Sequence, residues 1–226
     1  MGKLKNFYHD EICKRTEGDD DMRLPEESNF TPPPAGAHTA VCIGFVDMGT
    51  QPKSPFYEDS SPAHKVRITW ELDEQMEDGR PFTASKTYTW SMSDRATLRS
   101  HLESWRGRPF KKEDFGPGGF DTKNLLGKPC TLTIQHKEVG GNERAVVAGV
   151  APLMKGLKAF TPHNPQTYLT LARDGFDQAA FDALGEKTKE LIKASPEYAA
   201  LTSATNGKDR YSDVQHTEDL DDEIPF

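Results

Sequence analysis

A group of cations and aromatic rings falls close together in the middle of the chain. Lys65 and Arg67 alternate with apolar residues in His64–Asp73, and Lys86, Tyr88 and Trp90 share one parity in Pro81–Met92. Lys53, Phe56 and Tyr57 precede them in the Pro- and Ser-rich stretch 50–63, and Lys137 and Arg144 flank the later turn Val139-Gly-Gly-Asn142. Rings on which bases can stack, interleaved with cations that neutralise phosphates, are the groups that hold a single strand of nucleic acid. Each stacked base contributes about 1–3 kcal/mol. Not every ring qualifies. Trp70 shares a face with Val66, Ile68 and Leu72 and reads as core, and Trp105 lies on a helical stripe and reads as packing. Tyr88 and Trp90 share parity both with Phe82 and Ala84, which look interior, and with Lys86, which does not, so both readings stand. Phe56 and Tyr57 have no evident core role and are the best exposed rings.

The second chemical feature is the end of the chain, Glu218-Asp-Leu-Asp-Asp-Glu-Ile-Pro-Phe226. Residues Asp219, Leu220, Asp221, Asp222, Glu223, Ile224, Pro225 and Phe226 combine an acidic run with an apolar anchor that also bears the terminal carboxylate. A basic-rimmed pocket on another protein would accept that combination. A merely solvating acidic run has no reason to finish in Ile-Pro-Phe. The same charge would let the tail compete with nucleic acid for a basic groove. From Gly207 onward the chain carries −5 of its formal −8, which leaves the body at −3 with its central part close to neutral and weakens the objection to a polyanionic ligand.

Enzyme chemistry is a poor fit. There is no GxxxxGK[ST], GxSxG or HExxH, and the densest acidic clusters, Asp19–Asp21 and Asp219–Glu223, lie in polar ends and not on a scaffold. Cys13, Cys42 and Cys130 are far apart with no metal-ligand spacing, so neither metal nor cofactor is expected. The absence of an apolar run of ~18 residues or a signal pattern predicts a cytoplasmic chain that does not enter a membrane.

The elements that must position these groups follow from periodicity. Residues 1–28 read as an irregular extension, and Thr31-Pro-Pro-Pro-Ala-Gly36 as an extended boundary. Strands are predicted over Ala37–Asp47, His64–Asp73, Pro81–Met92, Pro129–Glu138 and Arg144–Leu153. Between the third and fourth, a helix is predicted over Asp94–Arg106, N-capped by Ser93, with Leu98, Leu102 and Trp105 inward and Gly107 and Pro109 as its stop. Arg106 and Arg108 complement its negative pole. Three strands, a helix and two strands is the order of an OB-fold, so the chain is expected to be mainly β. Its core would be a five-stranded OB-fold barrel over residues 29–158, with a ligand crossing strands two and three.

Residues 159–202 are expected to form a helical extension. It contains an amphipathic helix from about Asp177 to Ala194, with Phe176, Ala180, Phe181, Leu184, Leu191 and Ile192 on one stripe, and a shorter piece begun by Ser195 and Pro196. Residues 203–226 read as a disordered acidic tail for partner recruitment.

Two resemblances add to this. The ending DLDDEIPF resembles the acidic tip of bacterial single-stranded-DNA-binding proteins, which in that family binds replication, recombination and repair enzymes. The stretch Asn29–Gly156, with NFTPPPAGAH, GFVDMGTQ, LESWRGRPF, FDTKNLLGKPC and VAPLMKG, and the later FDALGEKTKELIKASPEY are similar to a family of phage and prophage proteins regarded as single-stranded-DNA-binding or replication-accessory proteins. The resemblance implies a protein that coats single-stranded DNA during phage or bacterial replication and recombination, with replication or recombination proteins as tail partners and self-association as a homo-oligomer among the readings. An adaptor that does not touch DNA and a strand-annealing recombination mediator are the alternatives.

Overall fold

The computed structural model describes residues 31–52, 61–139 and 142–208. The chain is mainly β: one antiparallel sheet is built from β1 (Gly36–Gln51), β2 (Ala63–Gln75), β3 (Pro81–Thr89), β4 (Pro129–Val139) and β5 (Asn142–Ala151), in the spatial order β3-β2-β1-β4-β5. A short β6 (Thr167–Leu169) pairs in parallel with Gly44–Val46 of β1. Helix α1 (Thr97–Arg106) stands between β3 and β4, and α2 (Gln178–Asp182), α3 (Glu186–Lys193) and α4 (Pro196–Lys208) follow the sheet.

β1 is long enough to serve three neighbours because it curls. Its first half pairs with β4, and from Ala40 onward it pairs with β2 with register shifts between Cys42 and Gly44 and between Asp47 and Gly49. Such bulges bend a strand and increase its twist. Curling brings the alternating apolar row of β2, namely Val66, Ile68, Trp70 and Leu72, onto the inner side with Ala40, Cys42, Phe45, Leu132, Ile134 and Val147. Leu98, Leu102 and Trp105 of α1 close one end of this core, and Trp105 donates its indole N–H to the Pro129 carbonyl at 3.0 Å.

The closed barrel expected from the sequence is not formed. The edge strands β3 and β5 approach each other but share no ladder, and side chains bridge the gap. Lys86 sends Nζ to the Val147 carbonyl at 2.6 Å, and Tyr88 Oη lies 2.9 Å from His101 Nδ1 of α1, which packs against both edges. Lateral satisfaction by side chains replaces strand pairing where two edges diverge too far for it.

Three further expectations are corrected. Ser93 does not cap α1; it forms a preceding turn by accepting from Ala96 N–H, and the helix starts at Thr97. The helix expected over Asp177–Ala194 is broken at Gly185 into α2 and α3. Leu191 is therefore 42 % exposed and not on the inward stripe. The six residues 203–208 assigned to the tail belong to α4.

The three C-terminal helices lie on the outer side of β1, and β6, which continues the sheet beside β1, turns Leu169 toward them. Val46 and Met48 make a second, smaller core there with Leu169, Leu171, Phe181 and Ile192. α4 is fastened at its start. Ser195 Oγ accepts from Tyr198 N–H and donates to the Ile192 carbonyl, while Glu197 accepts from Thr50 N–H at 2.8 Å and Thr50 Oγ1 at 2.6 Å. Gly49 makes this contact feasible. Its φ of 65° lies in the left-handed region, and a Cβ there would stand 2.5 Å from Ser195 Cβ and Oγ. Gly49→Ala is expected to lower stability by about 1–3 kcal/mol through overpacking and backbone strain together. Denaturant midpoints check the loss, and amide hydrogen exchange should show it concentrated in α4. Among the described residues no helix is long and apolar enough to cross a membrane.

Candidate nucleic-acid interface

Side chains of β2 and β3 that point away from the core form a polar, hydroxyl-rich face. Along β2 the outward row is Lys65, Arg67, Thr69 and Glu71, and along β3 it is Thr83, Ser85, Thr87 and Thr89. Directly opposed residues are joined across the strands. Lys65 Nζ donates to Thr89 Oγ1 at 2.7 Å, Arg67 Nε to Thr87 Oγ1 at 3.3 Å, and the Thr69 and Ser85 hydroxyls lie 2.9 Å apart. Arg67 Nη1 also donates to Thr188 Oγ1 of α3 at 2.8 Å, which makes α3 a wall along this face. Burial lowers the Arg67 value from its ordinary one, but a guanidinium keeps its charge at any physiological pH.

The one acidic member of these outward rows between Lys65 and Glu71 is taken out of the face. Glu71 has no exposed surface because the segment before β6 covers it. Its Oε1 accepts from His163 N–H at 2.7 Å with His163 Nδ1 at 3.2 Å, and its Oε2 accepts from Asn164 N–H at 2.8 Å and Asn164 Nδ2 at 2.7 Å. Burial opposes ionisation of Glu71, yet the hydrogen bonds from His163 and Asn164 outweigh it and hold the carboxyl below its usual value. The exposed acids of β2, Asp73 and Glu74, lie at the far end of the strand. What remains beside β3 is cationic and rich in donors.

The candidate rings separate clearly. Tyr88 is buried, and burial pushes its hydroxyl well above the ordinary value, so it is core and not a stacking platform. Trp90, just past the end of β3, is 45 % exposed. Its N–H donates to the His64 carbonyl at 2.7 Å, and its ring meets the edge of Phe45 with centroids 6.1 Å apart; Phe45 in turn stacks on Tyr168. Trp90 is thus an open ring, fixed by its backbone, that rests against the buried Phe45, behind which lies the half-buried Tyr168. Trp70 and Trp105 are interior, as their parity predicts.

Lys86 belongs to neither face. Its stem follows the inward row and its ammonium lies in the gap between β3 and β5, where burial first and the nearby Lys137 charge second lower its value. That is a structural role, which removes Lys86 from the open surface. Lys137 and Arg144 are exposed and directly opposed in the β4–β5 ladder, next to the opposed pair Glu138 and Glu143, so the hairpin tip is of mixed charge. Lys53, Phe56 and Tyr57 lie outside the described residues, as do Asp219–Phe226. The strand ends from which the β1–β2 connection leaves, Gln51 opposite Ala63, adjoin the His64 that holds Trp90.

The outward hydroxyls of β3, the Glu71 clasp and the Thr188 contact carry no motif. The parity of Thr87 and Thr89 beside the cations of β2 was the one signal for them. No group of three or more His, Cys, Asp or Glu side chains placed to hold a metal ion exists among the described residues. No protein-family model matches the chain, and no curated protein sequence does either.

Proposed function

We propose that the chain binds single-stranded DNA across the outward face of β2 and β3, coats it during phage or bacterial replication or recombination, and recruits partner proteins through its acidic C-terminal residues. The observation that carries this reading is the Lys65–Arg67 row, which forms no ion pair with a carboxylate among the described residues, with Trp90 just past its end. Cations that already donate to hydroxyls are pre-oriented for phosphate oxygens, and the exposed indole one residue beyond Thr89, at the rim where it meets the inner-side Phe45, offers a sequence-tolerant stacking surface at the end of the two strands. The strand order β3-β2-β1-β4-β5 with a helix between β3 and β4 supports assigning the sheet to the OB class, whose ligands cross these same two strands. The binding and recruiting roles need no catalytic group, and the reading is of a non-enzymatic cytoplasmic protein.

Fluorescence anisotropy with a labelled oligonucleotide, single- and double-stranded, at two salt concentrations tests it. Single strands should bind preferentially and the affinity should fall with salt. Lys65→Ala should reduce the slope of log K against log salt by about 0.7, the release expected for one lost phosphate contact on a single strand. Lys65 is the informative choice because, unlike Arg67, it does not also hold α3. Absence of binding to either form would leave the adaptor reading, and annealing of complementary strands would favour the mediator.

A further inference from the structure

A cavity lies beneath α1, away from the face of β2 and β3 and sharing no residue with it. Its volume is about 390 Å³, in the range of small-molecule sites, and Leu102, Trp105, Phe120, Leu125 and Pro152 supply apolar walls. Polar side chains at it are few: the Asn124 amide and two cations, Arg106 and Lys128. Lys128 is exposed, and Asp121, the one carboxylate in residues 120–128, is used in a turn, where it accepts from Lys123 N–H at 2.9 Å. Arg106 is more constrained. Its guanidinium lies over the Phe110 ring at 4.2 Å and the Phe120 ring at 5.3 Å, and its Nη2 donates to Asp114 at 3.0 Å, yet its Nη1 is buried with no hydrogen-bond partner. A buried charged donor left unpaired is a cost that the fold carries until an acceptor reaches it.

We propose that this cavity binds a small apolar carboxylate, a molecule with one hydrophobic ring and one anionic group. Three observations choose this class. The walls give a ring Trp105 and Phe120 to pack against but only one neutral hydrogen-bonding side chain, so a sugar would bury hydroxyls with nothing to pair with. Both charged groups that line the cavity are cations, which selects an anion. The planar fork of Arg106, with one nitrogen unpaired, matches a carboxylate oxygen. Phe120 lies against that guanidinium and also lines the cavity, so displacement of this one half-buried ring brings the ligand and Nη1 together. A ligand held there ties the last turn of α1 to residues 120–128 and stabilises the helix that closes the core by mass action.

Two-dimensional NMR of the full chain without nucleic acid tests this independently of DNA binding. Trp105 supplies an internal probe, since its indole N–H is held on the Pro129 carbonyl at 3.0 Å and both residues line the cavity. Hydrocinnamate is titrated at constant ionic strength beside uncharged phenylpropanol, which has the same ring and carbon chain. The expected result is a saturable shift of the Trp105 indole and the Leu102 and Leu125 amide signals with hydrocinnamate, the Trp90 indole unmoved, and binding of phenylpropanol weaker by at least about 5-fold. Lys128→Gln, at an exposed position, should weaken hydrocinnamate by roughly 3- to 5-fold and leave phenylpropanol unchanged. No saturable shift, equal affinity for the two probes, indifference to Lys128→Gln, or shifts centred on Trp90 would each overturn the proposal.

Discussion

Glu71→Ala is expected to lower folding stability by about 2–4 kcal/mol, the largest effect of any single outward-facing substitution on the sheet. The carboxylate organises four donors of the segment before β6, and its removal strands the His163 and Asn164 N–H groups where only one side is open to water. Buried donors left unpaired cost about 1–3 kcal/mol each, and partial access to solvent brings the sum below the simple total. Glu71→Gln separates charge from shape, because an amide can still accept from His163 but turns its own NH2 toward the two Asn164 donors. It should therefore lie between wild type and Glu71→Ala.

The pH dependence has a definite sign. The folded carboxyl titrates below the unfolded one, so its contribution is fully present above the unfolded value of about 4.3 and fades as pH falls through the lower folded value. Urea denaturation near neutrality should show the full gap between wild type and Glu71→Gln, and the gap should narrow at more acidic pH. An unchanged gap would mean that the clasp does not depend on the ionised carboxylate.

Glu71 also marks where reading from the chain alone stops. Its parity placed it correctly among the outward residues of β2, but its burial depends on residues more than ninety positions later, which no local period encodes. The inner row of the same strand was legible because each of Val66, Ile68, Trp70 and Leu72 repeats the same local instruction. Gly107 was legible for the same reason: a left-handed glycine with φ of 70° whose N–H returns to Glu103 and Ser104 stops α1 where the apolar stripe ends. Lys86 could not be resolved, since an inward parity and a cation contradict each other until the gap between β3 and β5 is known; a long stem can lie inward while the ammonium reaches a carbonyl at the edge. β6 is too short, at three residues, to show any period, and strand closure is a property of two edges that are distant in sequence.

Trp90→Ala is expected to weaken single-stranded DNA binding by about 1–3 kcal/mol, roughly 5- to 150-fold, if one base stacks on the ring. Stability should change by no more than about 1 kcal/mol, because the indole is largely open and its edge contact with Phe45 is the main interaction lost. The protein supplies its own reporter. Of the three tryptophans, Trp70 and Trp105 are interior, so any quenching of intrinsic fluorescence by an oligonucleotide should come from Trp90 and vanish in Trp90→Ala. Trp90→Phe should restore part of the affinity without the signal, since a smaller ring still stacks. Lys65→Ala should behave in the opposite way, with quenching retained and salt dependence reduced. If both variants instead bind as wild type does, the ligand does not cross this face, and the cations and hydroxyls of β2 and β3 serve only to hold α3 and the two strands together.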